Sequence, residues 1–152
     1  MIPIIGSIPM MLFYTKIEKF GMLSIMSVLL AIIMFVTGMG YLGAPLIIAA
    51  GVIADLIAKS GGYKSFKKTV ISHGVFCLWI CANYFPVVVS AKSYRKNLLE
   101  GGYSAEYCDS LFRAINSKTI AVLLVLCFVF GCVGALIGKA VLKKHFEKAG
   151  IV

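Results

Sequence analysis

Residues 20–54 contain no Asp, Glu, Lys or Arg, and no other feature limits the fold as strongly as this 35-residue run. One α-helix of that length would extend roughly 50 Å, whereas the hydrocarbon core of a bilayer is about 30 Å thick. The run therefore predicts two membrane-spanning helices. The glycines and the proline in residues 38–45 (GMGYLGAP) indicate a reversal between them.

Two further uncharged runs, at residues 69–91 and 119–138, each approach the roughly 20 residues that one spanning helix needs. The uncharged start of the chain contains prolines and a glycine, so it predicts only part of a span. With 61% hydrophobic and 14% charged residues, the composition is that of an integral membrane protein. We predict an all-α, polytopic membrane helix bundle that forms a single domain, with about five membrane segments at residues 1–15, 20–37, 45–59, 69–91 and 119–138.

The basic residues predict the side of the membrane on which each loop lies. Ten of the 15 Lys and Arg residues fall in residues 16–19, 59–68 and 139–148. Because cytoplasmic loops are enriched in Lys and Arg, we expect these segments inside and Met1 outside. The tail at residues 139–152 is then cytoplasmic, and the loop at residues 92–118 is outside. This asymmetry accounts for the net charge of +9, so no nucleic-acid partner is expected.

The outer loop is long enough to contain structure of its own. Residues 104–115 predict a short amphipathic helix that begins at a serine and has Tyr107, Leu111 and Ile115 on one face. Of the five cysteines, Cys108 alone lies outside the predicted spans. We expect it to face the exterior, where a membrane-impermeant thiol reagent would label it. The other four have no metal-binding spacing and predict structural cysteines.

Motifs typical of enzymes are missing from the sequence, which has no phosphate-binding glycine loop, no HExxH and no plausible nucleophile triad. We therefore expect a protein that is not an enzyme and has no metal site. Asp55 is the one carboxylate within a predicted span. Lys59 follows it by one helical turn, which favours a local ion pair, although a role in ion coupling stays open. His73 lies near the cytoplasmic boundary, and a proton relay through it is disfavoured because no second acid lies at matching depth.

Aromatic and polar residues in the outer half predict the place of a ligand. Trp79 and Asn83 are one helical turn apart, and Phe76 lies roughly along the same face. A small-molecule pocket needs mostly apolar walls and a few polar groups, and the outer loop would close over it as a lid. The predicted ligand-binding residues are Met39, Tyr41, Phe76, Trp79, Asn83, Tyr84, Tyr94, Arg95, Tyr103 and Tyr107. Simple packing of the aromatic stripe and an interfacial tyrosine belt are the alternatives.

Small residues at helical spacing predict close helix contacts. They are Ala50, Ala54 and Ala58 in one predicted helix and Gly134 and Gly138 in another. Such ridges let a second helix approach closely. Internal packing is the first interpretation, and docking of a partner subunit is the second.

Three stretches together resemble one known family: IPMMLFYTKIEKFG at residues 8–21, GVIADLIAKSGGYKS at residues 51–65 and KKHFEKAGI at residues 143–151. They are similar to the Trep_Strep (MptD-like) family, a group considered to be S components of energy-coupling factor (ECF) transporters. The similarity covers essentially the whole chain.

The resemblance implies a six-helix protein of the bacterial cell membrane that captures a micronutrient outside the cell. Such a protein delivers its substrate when it docks to a transmembrane T subunit and two ATPase subunits, which use the ATP, and it has no cofactor of its own. The substrate is left open between vitamins, haem-like compounds and other small nutrients. The chain begins inside what resembles the second helix of that fold, so we expect either a truncated start or docking through other small-residue ridges.

Two alternatives of different classes remain from the sequence. The first is a small membrane scaffold or assembly protein that packs other subunits through its Gly and Ala ridges and binds no small molecule. The second is a proton-coupled secondary transporter, which needs a buried acid as carrier, although the inverted repeats that favour it are not visible.

Overall fold

The computed structural model describes residues 2–37 and 43–146, and this part of the chain is helical with short turns and no strand. The α-helices are α1 Ile2–Ile5, α2 Ser7–Lys16, α3 Met22–Val36, α4 Ala44–Ser60, α5 Phe66–Phe76, α6 Trp79–Ala82, α7 Phe85–Val89, α8 Ala91–Glu100, α9 Ala105–Ala114 and α10 Ser117–Val141. A π-helical segment, Leu142–Phe146, continues α10. The all-α prediction is therefore confirmed.

The helices coincide with the predicted membrane segments. Helices α1 and α2 lie in the first segment, and α3 and α4 divide the long uncharged run on either side of the predicted reversal. Within the part of the chain described, one helix, Ser117–Lys144, is long and apolar enough to cross a membrane, while Met22–Val36 is apolar but shorter. The number of spans stays a prediction.

Neighbouring helices in the sequence pack side by side and mostly run in opposite directions. Asp55 of α4 lies beside Gly21 at the start of α3, and Gly51 packs on Ser27 further along the same helix. Residue numbers that rise on one helix therefore fall on the other, so the pair is antiparallel. By the same test, α5 runs antiparallel to α4, since Lys68 packs on Gly61 and Ser72 contacts Ala54. It also runs antiparallel to α10, since Val70 contacts Cys132 and Gly74 packs on Phe128.

Helix α2 packs on α10 in the same direction. Gly134 faces Ser7, and Gly138 faces Met11 one turn later on both helices. A Cβ atom built on Gly138 would lie 2.8 Å from Met11 Cγ, so the two glycines permit an approach that larger residues would block. The main helices thus follow the order α3, α4, α5, α10, α2 around a shared core that includes Met10.

The small-residue ridges are used inside the chain. Ala50, Ala54 and Ala58 are all buried, and Ala54 and Ala58 belong to the main core. Gly134 and Gly138 are covered by α1 and α2. The structure shows the first interpretation, internal packing, because the chain's own helices cover these residues. Docking of a partner subunit at these five residues stays a prediction.

The outward faces of the long helices are apolar. Ile25, Ile33 and Val36 on α3 are more than half exposed, and Val122 and Val125 on α10 are as well. A protein surrounded by water would hide such a surface, whereas lipid contact stabilises it. This pattern is typical of helices that face hydrocarbon.

The loop at residues 92–118, predicted to lie outside, consists largely of two helices, α8 and α9, of which the sequence predicted only the second. Ser104 begins α9 as expected, because its Oγ accepts a hydrogen bond from the backbone N–H of Tyr107. Cys108 is completely buried. The expectation that an impermeant reagent reaches Cys108 in the folded protein is therefore wrong, since α9 turns this side of the helix inward and leaves Tyr107 exposed.

Candidate functional site

A cavity of about 160 Å³ lies among α1, α2, α3, α5 and α6. Its walls are almost entirely apolar, and Phe76 and Trp79, both predicted to bind a ligand, are part of them. The lining residues are Pro3, Gly6, Met10, Met26, Leu30, His73, Phe76, Cys77, Trp79 and Ile80. The cavity therefore combines aromatic, flexible and polar side chains from five helices.

The helix that lines this cavity is interrupted beside it. Between α5 and α6, the backbone N–H groups of Leu78 and Ile80 donate to carbonyls three residues earlier, at 3.1 and 3.2 Å, instead of four. These tighter bonds satisfy the backbone while the helix breaks. Irregular backbone at membrane depth is tolerated where it is buried in protein or lines a cavity, and this break lies beside a cavity.

His73 is the polar side chain of the cavity wall, and it is 2% exposed. Its Nε2 lies 2.8 Å from Ser7 Oγ, which in turn donates to the carbonyl oxygen of Pro3. Cys77 Sγ lies 3.6 Å from the same ring nitrogen. The other ring nitrogen, Nδ1, is buried and has no hydrogen-bond partner, the single such side-chain atom in the described ranges 2–37 and 43–146.

A second group of buried polar residues lies next to His73 and is fully paired. Ser72 Oγ donates to the carbonyl oxygen of Ala54 at 2.7 Å, so its oxygen accepts from Tyr14 OH, also at 2.7 Å. The ring of Tyr14 meets the ring of His73 edge to face, with centroids 6.0 Å apart. These contacts connect α2, α4 and α5 and hold the ring of His73 in place.

Asp55 does not pair with Lys59, which corrects the sequence-based expectation. The carboxylate is completely buried, and Oδ2 accepts from Gly21 N at 2.8 Å, Ser24 N at 3.2 Å and Ser24 Oγ at 3.0 Å. Lys59 instead places its Nζ over the ring of Phe20, 5.1 Å from the centroid. Asp55 thus caps the first turn of α3, where Gly21 has no side chain to do so.

Tyr63, in the turn after α4, completes the surroundings of Asp55. Its hydroxyl donates to Oδ1 at 3.1 Å. Partial burial, with the adjacent carboxylate adding to it, raises the pKa of Tyr63 to about 12. Among the described residues, Gly21, Ser24 and Tyr63 therefore occupy both oxygens of Asp55.

The outer residues predicted to bind a ligand do not line the cavity. Asn83 Nδ2 reaches the carbonyl of Ile80 on its own helix at 3.4 Å, and Tyr84 is partly exposed. Helix α8 packs on α7 and α9 packs on α8, and no residue of the predicted lid lines the cavity. Met39 and Tyr41 lie outside the described residues.

The remaining loop residues contact one another. Arg95 forms an ion pair with Asp109 at 2.6 Å, and the rings of Tyr103 and Tyr107 stack with centroids 5.2 Å apart. Burial, followed by the neighbouring tyrosines, raises the pKa of Tyr94. These contacts stabilise the helical pair, and none of them involves the cavity.

A larger groove of about 530 Å³ runs between α2 and α3, and its lining, which includes Phe13 and Ile25, is entirely apolar. It offers no polar group that would orient a ligand. Within the described residues there is also no cluster of three His, Cys, Asp or Glu side chains that could hold a metal ion. The cavity at His73 is taken as the candidate site because it joins aromatic walls to a buried polar side chain.

Comparison with known protein families connects this structure to one of them. The model of the family Trep_Strep, described as a hypothetical bacterial integral membrane protein, matches residues 1–148. The chain belongs to the Trep_Strep family. No curated protein and no solved structure matches it. As a Trep_Strep protein it is an integral membrane protein of bacteria, and the exposed apolar faces of α3 and α10 are accounted for by lipid.

In this Trep_Strep protein, the sequence predicted two of the residues that line the candidate cavity but not the polar residues beside them. Phe76 and Trp79 were predicted from helical spacing, but Ser7 was not considered and His73 was assigned no binding role. The available signal was a serine and a histidine within apolar segments, where polar groups need partners. Their pairing could not be inferred, because Ser7 and His73 are 66 residues apart.

Proposed function

We propose that this Trep_Strep protein is the substrate-binding membrane subunit, or S component, of an ECF-type importer. It takes up a small micronutrient from outside the cell and releases it inward when it associates with a T subunit and two ATPase subunits that hydrolyse ATP. The chain is multi-pass in the bacterial cell membrane, with its C-terminus in the cytoplasm, and contributes no cofactor.

The observation that carries this proposal is the cavity at Trp79. A binding site for a small molecule needs apolar and aromatic walls with few polar groups, and this cavity has such walls with His73 as its polar group. A scaffold protein has no use for a cavity of this kind. The ridges that would serve a scaffold are already covered by the chain's own helices.

The arrangement of Asp55 favours binding over proton-coupled transport. A carboxylate that carries protons must exchange its partners during each cycle, and here four donors hold both oxygens. Three of these donors belong to Gly21 and Ser24 at the start of α3, so releasing the carboxylate would leave a helix end without its cap. Asp55 is therefore assigned a structural role.

The test uses Trp79, the single tryptophan of the chain, as a reporter of the cavity. The purified protein is titrated with a panel of vitamins and small nutrients while tryptophan emission is measured. A substrate should change the emission saturably. The matched control carries Trp79→Phe together with Phe35→Trp, which moves the tryptophan to an exposed position on α3, and its emission should not respond.

Two further measurements test the transport role and the orientation. Co-expression with a T subunit and ATPase subunits should give a complex that accumulates the ligand only with ATP, and failure to assemble would overturn the S-component assignment. For orientation, Tyr103→Cys in a Cys108→Ser background places a thiol on the exposed outer loop. An impermeant reagent should label it on intact cells, and labelling only after lysis would reverse the proposed sidedness.

A further inference from the structure

We propose that the end of the bundle at which α2, α4 and α10 finish carries a binding site for the headgroup of an anionic phospholipid. The site is a second cavity, of about 250 Å³, whose walls come from α2, the turn after α4, α5 and the end of α10. The inference goes beyond the proposed function and does not depend on it. It needs only the membrane location that belongs to the family.

Three lysines line this cavity. Lys64 lies in the turn between α4 and α5, Lys139 lies near the end of α10, and Lys143 lies in the π-helical segment that follows. No Asp or Glu is among the lining residues. Within the described ranges 2–37 and 43–146, both ion pairs lie in α8 and α9, so neither of them neutralises these lysines. The cavity is therefore a concentration of positive charge.

Two of the lysines are positioned by contacts that leave their charge available. Nζ of Lys139 lies over the ring of Phe66, 3.7 Å from its centroid, where an aromatic face attracts the ammonium group. The ring is no ordinary hydrogen-bond acceptor, so the N–H groups can still donate to a phosphate oxygen. Lys64 follows Tyr63, whose φ of 58° is left-handed, and the hydrogen bond from Tyr63 to Asp55 holds that turn.

The cavity also has apolar walls, which favour a lipid over a soluble anion. Phe66 and Leu142 are among the lining residues. Leu136 lies on the same face of α10 as Lys139 and Lys143, one to two turns nearer the middle of the helix, and it is more than half exposed. A phospholipid joins a phosphate to hydrocarbon chains, so a headgroup in the cavity would direct its chains along this face. A free phosphate has no chains to make these contacts.

The size and place of the cavity agree with a headgroup. A volume of about 250 Å³ corresponds to roughly eight water molecules at about 30 Å³ each, which is too small for a whole lipid. The helices end here, after the apolar stretches that face hydrocarbon, so the cavity lies where headgroups are found. Basic pockets between the ends of membrane helices are typical sites for anionic headgroups.

The first arm of the test compares ligands by native mass spectrometry of the full chain in a non-ionic detergent. Dioleoyl phosphatidylglycerol is compared with dioleoyl phosphatidylcholine, which has the same chains and no net charge. We expect phosphatidylglycerol to bind at least about tenfold more tightly. Equal affinities would overturn the proposal. Inorganic phosphate supplies the anion without chains, and if it displaces the lipid at matching concentrations, the cavity takes a soluble anion and the lipid assignment is wrong.

The second arm removes the charges one at a time. Lys64→Gln, Lys139→Gln and Lys143→Gln should each weaken the binding of phosphatidylglycerol about fivefold. The matched controls are Lys67→Gln and Lys144→Gln, at exposed lysines that do not line the cavity. They change the net charge equally, but at about 0.15 M ionic strength charges are screened beyond about 8 Å, so binding should weaken less than about twofold. Equal weakening by both groups would overturn the site.

The third arm checks the fold and the stabilisation by lipid. Lys139→Arg keeps the charge over Phe66 and should retain the binding of phosphatidylglycerol within about twofold. Because the three cavity lysines are exposed, their glutamine variants should unfold at the wild-type temperature without lipid. Phosphatidylglycerol should raise the unfolding temperature of the wild type more than that of these variants, and an equal rise would contradict the proposal.

These measurements use the isolated protein without T or ATPase subunits. A preference for phosphatidylglycerol that depends on the cavity lysines would support the lipid site even if no importer assembles. Conversely, ATP-dependent uptake by a protein that binds both lipids equally would leave the proposed function intact and overturn this inference.

Discussion

Two buried polar side chains, Asp55 and His73, lie in neighbouring parts of the bundle and differ in how completely they are hydrogen-bonded. Every oxygen of Asp55 is used, by backbone and side-chain donors of α3 and by Tyr63. His73 has one nitrogen bonded to Ser7 and the other without a partner, beside a cavity. A fully hydrogen-bonded polar group contributes to stability, whereas a buried polar atom without a partner reduces it.

The largest expected effect on stability is at Asp55, whose two oxygens are both hydrogen-bonded. Asp55→Ala leaves the N–H groups of Gly21 and Ser24 without their acceptor, and each unsatisfied buried donor costs about 1 to 3 kcal/mol. We expect a loss of about 3 kcal/mol or more in the free energy of unfolding, measured by denaturant titration in micelles. Glu18→Gln, at an exposed acid, is the control and should change little. If Asp55→Ala is as stable as the wild type, the hydrogen bonds of Asp55 do not stabilise the protein as described.

An intermediate effect is expected at Ser72, which is paired on both sides. Ser72→Ala leaves Tyr14 OH buried without its partner, so we expect a loss of about 1 to 3 kcal/mol of unfolding free energy. Adding Tyr14→Phe removes the stranded hydroxyl. The double variant should therefore be more stable than Ser72→Ala alone, and additive losses would contradict the proposed pairing.

At His73, where one ring nitrogen has no hydrogen-bond partner, the effect on stability should be smaller. His73→Leu removes one hydrogen bond to Ser7 but also removes the unpaired Nδ1, so the two contributions oppose each other. We expect a change in unfolding free energy of about 1 kcal/mol or less. Denaturant titration alongside Asp55→Ala gives the direct comparison. A loss as large as that of Asp55→Ala would mean that both residues are structural.

The pH dependence of stability tests the contact between Tyr63 and Asp55. The pKa of Tyr63 is about 12 in the folded protein and about 10 in the unfolded chain, so between these values the unfolded state has released a proton that the folded state retains. Stability from this group is complete below pH 10 and is lost as the pH rises toward 12. The difference between wild type and Tyr63→Phe isolates this loss from the titration of lysines. A difference independent of pH would contradict the assigned contact.

The smallest effect is expected at Asn83. Its amide contacts the carbonyl of Ile80 on the same helix and does not line the cavity. Asn83→Ala should therefore leave the response of Trp79 to ligand unchanged within about twofold, which is less than one hydrogen bond contributes. A clear weakening would restore the sequence-based placement of the ligand nearer the outer side.

Local rules predicted the helices and missed the contacts between them. The charge-free run and the glycines around residue 40 sufficed to divide α3 from α4, because these signals depend on neighbours in the sequence. The same local reasoning paired Asp55 with Lys59 at one helical turn, while its actual partner, Gly21, is 34 residues earlier. Burial of Cys108 likewise depends on how α9 turns its faces, which the apolar pattern of Tyr107 and Leu111 did not reveal.

The break between α5 and α6 shows a further limit of sequence patterns. Residues 69–91 are uncharged and predict one continuous helix, yet the chain forms three short ones. The first break follows Phe76 and contains no proline, so the local sequence does not predict it. The aromatic side chains beside this break could therefore be predicted from the sequence. The depth of the cavity and the presence of His73 in its wall could not.

The cap that Asp55 provides to α3 has a consequence for biogenesis. During translation α3 leaves the ribosome before α4, and Gly21 supplies no side chain to cover the first N–H groups of the emerging helix. The acceptor arrives only with Asp55, on the following helix. Since exposed N–H groups are costly in hydrocarbon, α3 is completed only once α4 lies beside it. We therefore expect the two helices to insert into the bilayer as a pair, a hairpin whose second helix caps the first.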